Sequence, residues 1–172
     1  MSKNIATEID TCSKLNIFTD GAYFKNHSIG GWGYVFYCNQ HELLRDSGMK
    51  KMTGSLEMEL MAALQAIRSL AKLAKQRLPT QPQNYSSTLK ITLHTDSRII
   101  LEGLFDKFTI WERNHWKVKS GKTVAYKTLW QELHDLTQQY SINWKWVKSH
   151  SGLKGNELAD QLARKAALNP FQ

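Results

Sequence analysis

Hydrophobic positions along this chain change period several times, and each change marks an element. Leu15 to Asp20 (LNIFTD) is a short β-branched and aromatic run closed by Gly21, which predicts a strand. Gly30 to Asn39 (GGWGYVFYCN) and about Leu43 to Met49 predict two more strands, joined to the first as an antiparallel meander. The next segment is helical, from Leu56 to about Gln76: Leu56, Leu60, Leu64, Ile67 and Leu70 recur at helical spacing among Ala and Met, with Ser55 as N-cap. Leu78 to Thr88 carries two prolines and reads as a loop. Leu89 to Thr95 predicts a strand, followed by a short helix from about Ser97.

The stretch from Phe108 to Thr123 has no clean period. Lys127 to Gln139 is helical again, and Ser141 to Lys148 alternates Ile142, Trp144 and Trp146 against Asn143, Lys145 and Val147, as a strand with one buried face should. Asn156 to Leu168 predicts a final helix with Leu158, Leu162 and Ala166 on one side. Three strands, then helix, strand, helices, strand and helix make an α/β fold with a mixed sheet. Residues 1–13 read as a polar lead-in, and 14–170 as one domain without internal repeats.

Composition sharpens this picture. The chain has 172 residues, 41% of them hydrophobic, enough for one domain with a real core. Its 23 Lys and Arg exceed 15 Asp and Glu, for a formal charge of +8. Such a surplus favours a polyanionic partner, nucleic acid or acidic membrane, although a merely basic surface accounts for the charge equally well. Cys12 and Cys38 form no C-x-x-C pair, so reduced thiols are expected. The N-terminus lacks an apolar signal-peptide core, and no stretch reaches the roughly 20 apolar residues of a membrane span. A soluble, cytoplasmic protein is expected.

Against this basic background stand four carboxylates in apolar settings: Asp20 in FTDG, Glu59 in MELMAA, Asp96 in HTDS and Asp160 in NELAD. Isolated carboxylates in such segments are costly to desolvate without a cation or donor. Asp20 and Asp96 fall at predicted strand ends, where ligands collect in open α/β sheets. Glu59 and Asp160, near the starts of two helices, can lean toward the same end. Like charges so gathered need a counter-charge, and hard divalent cations with oxygen ligands supply it. Each residue also has an innocent role: Asp20 starts a turn, Glu59 suits a helix start, Asp96 caps a helix, and Asp160 pairs with Arg164. The glycines of Gly30-Gly31-Trp32-Gly33 lack the ending of a phosphate-binding loop and indicate close packing.

In order along the chain, IFTDG, MELMAAL, HTDS, VKSHSG and GNELAD resemble the conserved blocks of type 1 ribonuclease H. The likeness spans about residues 15–169, together with Asn169-Pro170. It implies a ribonuclease H-like fold, a five-stranded mixed sheet with three antiparallel strands first, flanked by helices. It also implies endonucleolytic cleavage of the RNA strand of RNA–DNA hybrids with two Mg²⁺ ions, or Mn²⁺ in their place. No small-molecule cofactor and no membrane partner is implied, and a monomer is the default.

Asp20, Glu59, Asp96 and Asp160 match the family's metal-binding carboxylates. His150 matches its mobile catalytic histidine, and Glu157 an acidic position nearby. The loop setting of His150, between Ser149 and Ser151-Gly152, also suits an imidazole that moves protons near neutral pH. Residues 108–123 resemble the basic protrusion that grips the DNA strand. Lys117, Lys119 and Lys122 would neutralise phosphates there, and Trp111 and Trp116 would either contact the backbone or pack the segment. Asn26, Ser55 and Arg98 match substrate-contacting positions.

One departure concerns Gly54-Ser55-Leu56-Glu57, where the family often has Thr-Asn-Asn/Gln-Arg/Lys. Leu56 replaces an amide and Glu57 is expected to repel a phosphate. Because the 2′-hydroxyl distinguishes RNA from DNA, altered strand selectivity, or a silent hybrid- or duplex-binding module, is the alternative reading.

Overall fold

A computed structural model describes residues 8–9, 12–76 and 89–168. The loop expected at 78–88, most of the lead-in and Asn169-Pro170 lie outside the described residues. Strands β1 (Lys14–Phe24), β2 (Ile29–Cys38) and β3 (His41–Lys51) form an antiparallel meander. Helix α1 (Ser55–Gln76) leads to β4 (Lys90–Thr95), which pairs parallel with β1. A continuous helical rod follows: α2 (Arg98–Leu101), a wider π-helical stretch (Glu102–Lys107) and α3 (Phe108–Arg113). Helix α4 (Lys127–Gln139) and β5 (Asn143–Trp146), parallel to β4, precede α5 (Lys154–Leu168). The sheet order is β3-β2-β1-β4-β5, the five-stranded mixed sheet expected.

Strand alternation sends successive side chains of β1 to opposite faces. Leu15 and Ile17 join Phe36, Leu60, Leu64, Ile67, Leu93, Trp130 and Leu133 in the main core under α1 and α4. Phe18 and Val35 meet Ala159 in a smaller cluster on the other face, under α5. The face of α5 that packs on the sheet is an alanine stripe, Ala159, Ala163 and Ala167. The expected Leu158 and Leu162 only flank it. Small residues prevail because α5 rests directly on β2: a Cβ on Gly31 would lie 2.0 Å from the Ala163 carbonyl oxygen, and one on Gly33 2.6 Å from that of Ala159. The glycine run thus serves close packing, of a helix on a strand.

Other expectations are corrected. Strand β1 continues four residues past Asp20, because antiparallel pairing with β2 persists to Phe24↔Ile29 after the parallel ladder with β4 ends at Phe18↔His94. The first part of the aperiodic stretch is helical, with Phe108 and Trp116 buried. Trp146 is 39% exposed, so β5 does not bury one whole face, whereas Val147 just after it is buried. Ser55 opens α1 instead of capping it, and the Met58 amide donates to Gly54 O. Cys12 and Cys38 are joined in a disulfide, their Cα atoms 5.5 Å apart, where free thiols were expected. No helix among the described residues is long and apolar enough to cross a membrane.

Replacing Gly31 by Ala should force α5 off β2 and cost about 3 kcal/mol, the upper end for overpacking. Chemical denaturation measures it; a wild-type midpoint would mean that α5 does not sit on this glycine.

Candidate active site

The site forms where β1 outruns its parallel partner. Asp20 follows the last β1–β4 pair by two residues, and Asp96 comes directly after β4. Here the sheet splits, leaving a cleft between the two carboxylates. The N-terminal part of α1 closes over it at Gly21, where a Cβ would lie 2.5 Å from the Glu59 amide nitrogen. Only glycine permits that approach, which brings Glu59 into the cleft. Carboxylate oxygens of Asp20, Glu59 and Asp96 then all lie within 4.8 Å of one another, a group able to hold a metal ion.

Electrostatics records the cost. Burial, then the charges of Asp96 and Asp160, push the Asp20 carboxyl up from 3.8 to about 7. Glu59 is pushed well above its ordinary value, first by burial and then by Asp20 and Asp96. The Gly21 amide donates to both and offsets only part of this. Glu59 Oε2 is buried and finds no hydrogen-bond partner among the described residues. An orphaned carboxylate oxygen beside two further carboxylates fits a hard cation with oxygen ligands.

Asp160, in the second turn of α5, stands apart from this trio. It raises the pKa of Asp20 and Glu59 through space, but its Oδ1 accepts from Arg164 Nε at 2.7 Å, the i,i+4 pair foreseen as its innocent role. Asp96 makes no side-chain cap for α2; instead its Oδ2 accepts from Ser149 Oγ at 2.6 Å. His150 follows Ser149, exposed and in the left-handed region (φ 50°). Glu157 Oε1 accepts from the Gly152 amide at 3.0 Å, which pins the loop carrying His150 to α5.

The remaining expected residues are dispersed. Asn26 is exposed in the 3₁₀ turn after β1, and Ser55 is exposed at the start of α1. Lys117, Lys119 and Lys122 project from a tight turn closed by the Lys117↔Thr123 bridge, with Lys117 Nζ donating to Thr123 Oγ1. Trp116 is 5% exposed, packed against Phe108 and Trp111, so it supports this turn from within, the packing alternative of the two expected for it. Trp111, half-buried, stacks toward Trp116 and Trp130.

Glu57 is also corrected. It is 8% exposed, paired with Lys50 of β3, and accepts from Thr53 Oγ1 at 2.8 Å. Its charge is answered internally and ties the start of α1 to β3, so it does not face a substrate phosphate. Sequence reasoning missed Gly21, Ser149 and the Lys50–Glu57 link. Of these, only Gly21 carried a signal, as the glycine directly after a strand aspartate.

A five-stranded mixed sheet whose split end gathers desolvated carboxylates defines a hydrolase-type acidic site suited to divalent cations. The RNase H family model matches residues 12–168, and the chain belongs to that family. A ribonuclease H of Haemophilus influenzae is 36% identical over 157 residues, 91% of this chain and 92% of that protein. One of Francisella philomiragia is 39% identical over 149 residues, 87% and 88% of the two chains. Among solved structures, LC9-RNase H1, a type 1 RNase H with the type 2 active-site motif, superposes with a TM-score of 0.72 at 24% identity, over 94% of this chain and 75% of that one. LC11-RNase H1, crystallised with an RNA/DNA hybrid, gives a TM-score of 0.66 at 16% identity over 92% and 99%. These two likenesses concern the fold.

The raised Asp20 pKa sets a sign for stability. The folded state holds a proton that the unfolded state releases above pH 3.8, so metal-free stability falls between pH 4 and about 7 and stays low above that. Asp20→Asn removes this penalty and should stabilise the metal-free protein at pH 8 by on the order of 3 kcal/mol, with little effect at pH 4. Thermal unfolding in EDTA at both pH values checks it; equal shifts at both would contradict the assignment.

Proposed function

We propose that this chain is an endoribonuclease that hydrolyses the RNA strand of RNA–DNA hybrids at the carboxylate cluster, using two Mg²⁺ ions or Mn²⁺ in their place. The observation that carries the reading is the convergence of Asp20, Glu59 and Asp96 with an unpartnered buried oxygen on Glu59. Bound there, divalent cations would lower the pKa of a water and stabilise the leaving oxygen of a phosphodiester.

The chain's own groups do the rest. Asp20, Glu59 and Asp96 would hold the cations, and Asp160, paired with Arg164 beside them, would supply a fourth carboxylate. Ser149 orients the Asp96 carboxylate. His150, on its exposed loop, exchanges a proton with the reacting or departing oxygen. Glu157 anchors that loop through Gly152. Asn26, in the turn directly after the strand that carries Asp20, and Ser55, on the helix that carries Glu59, occupy positions suited to touching the two strands. Lys117, Lys119 and Lys122 form the basic turn for DNA-strand phosphates, a contact that weakens with salt.

The 54–57 segment favours a second reading. Ser55 is its one exposed polar side chain, so discrimination of the 2′-hydroxyl there rests on Ser55 and the backbone.

A cleavage assay on labelled RNA–DNA hybrid, double-stranded RNA, double-stranded DNA and single strands, with Mg²⁺ and with EDTA, decides between them. We expect Mg²⁺-dependent cleavage of the hybrid's RNA strand only. Cleavage of another duplex would establish altered selectivity. Hybrid binding without cleavage would overturn the proposed activity.

A further inference from the structure

Trp146, the last residue of β5, lies opposite Thr95 in the ladder beside Asp96. A large indole left 39% exposed at a sheet end invites a question about its use. Two contacts answer it. Its Nε1–H donates to the main-chain carbonyl of Asp96 at 3.1 Å. Its ring lies beneath the Arg98 guanidinium, whose Cζ is 4.5 Å from the ring centroid. Asp96 is thereby held at both ends, its main chain by Trp146 and its carboxylate by Ser149.

Arg98 is exposed, and among the described residues its guanidinium forms no ion pair; the nearby Glu102 is taken by Lys107. An unpaired cation stacked on an aromatic face two residues from Asp96 has its planar fork fixed and its donors free. That arrangement suits bidentate binding of a phosphate.

We propose that Trp146 is a positioning residue: it fixes Asp96 within the carboxylate cluster and holds Arg98 as a clamp for one backbone phosphate of the substrate at the rim of the site. The proposal rests on the nuclease reading above. It separates into two duties of one side chain, the ring face serving Arg98 and the N–H serving Asp96.

The test is hybrid binding by fluorescence anisotropy in EDTA across a salt series, alongside steady-state cleavage in Mg²⁺. Trp146→Leu and Arg98→Ala should each flatten the salt slope by about one unit, the value of one phosphate contact. The double variant should lose no more than either alone. Trp146→Phe keeps the ring face, so its slope should stay wild-type, while loss of the N–H lowers kcat on the order of tenfold with KM unchanged.

Arg98→Ala alters only an exposed side chain and tests the clamp even if Trp146→Leu fails to fold. An unchanged slope for Arg98→Ala, additive losses in the double variant, or wild-type kcat for Trp146→Phe would overturn the proposal. In each case the wild-type enzyme still cleaves hybrid; failure of the wild type to cleave overturns the activity itself.

Discussion

Mutual repulsion among Asp20, Glu59 and Asp96 is the constraint on which the rest of this structure turns. Burial withholds water from Asp20 and Glu59, and each neighbouring carboxylate raises the cost of ionising the next. A fold relieving this locally would put a lysine or arginine into the cleft. Here the Gly21 amide is the donor that Asp20 and Glu59 share, and Arg164 engages Asp160 at the margin. The cluster therefore remains short of positive charge, which a hard cation supplies. Structural elements bring the groups to this state: β1 outruns β4, Gly21 admits α1, and the alanine face of α5 lies close enough for Asp160 to be felt.

The basic excess and the acidic cleft belong to one design. A net charge of +8 attracts a polyanion to the surface, while the cleft repels its phosphates until a cation intervenes. Glu57 shows how charges away from the cleft are settled. Buried at the start of α1, it is answered by Lys50 and Thr53 and acts as a bolt between helix and sheet. Arg98 is the contrasting case, a cation on an aromatic support with no ion pair among the described residues.

Much of this was legible in the sequence because the relevant signals are local. Helix α1 has an unbroken apolar stripe, and IFTDG and HTDS place a carboxylate near the end of a β-branched run. Other features depend on neighbours far along the chain. A short helix from about Ser97 was legible, but its continuation as a rod to Arg113 was not, because Ile99, Phe105 and Ile110 are exposed apolar residues that blur the period set by Ile100, Leu104 and Phe108. The pattern picked out Leu158, Leu162 and Ala166 as one side of α5 but not the alanine stripe that meets the sheet, because alanine reads as neutral until Gly31 and Gly33 are known to lie beneath it. Glu57 read as a repelling charge because Lys50, seven residues earlier, reaches it only through the turn into α1.

The most direct measurement is calorimetric titration of Mg²⁺ into the protein near pH 6.5, in buffers of different ionisation enthalpy. If three converging carboxylates form the cation site, part of the Asp20 population, whose carboxyl is pushed up to about 7, is protonated at that pH, and binding must expel protons. Measurable proton release should accompany binding, and both should disappear in Asp20→Asn. Mg²⁺ binding without proton release, or unchanged in Asp20→Asn, would contradict a cation site at these carboxylates.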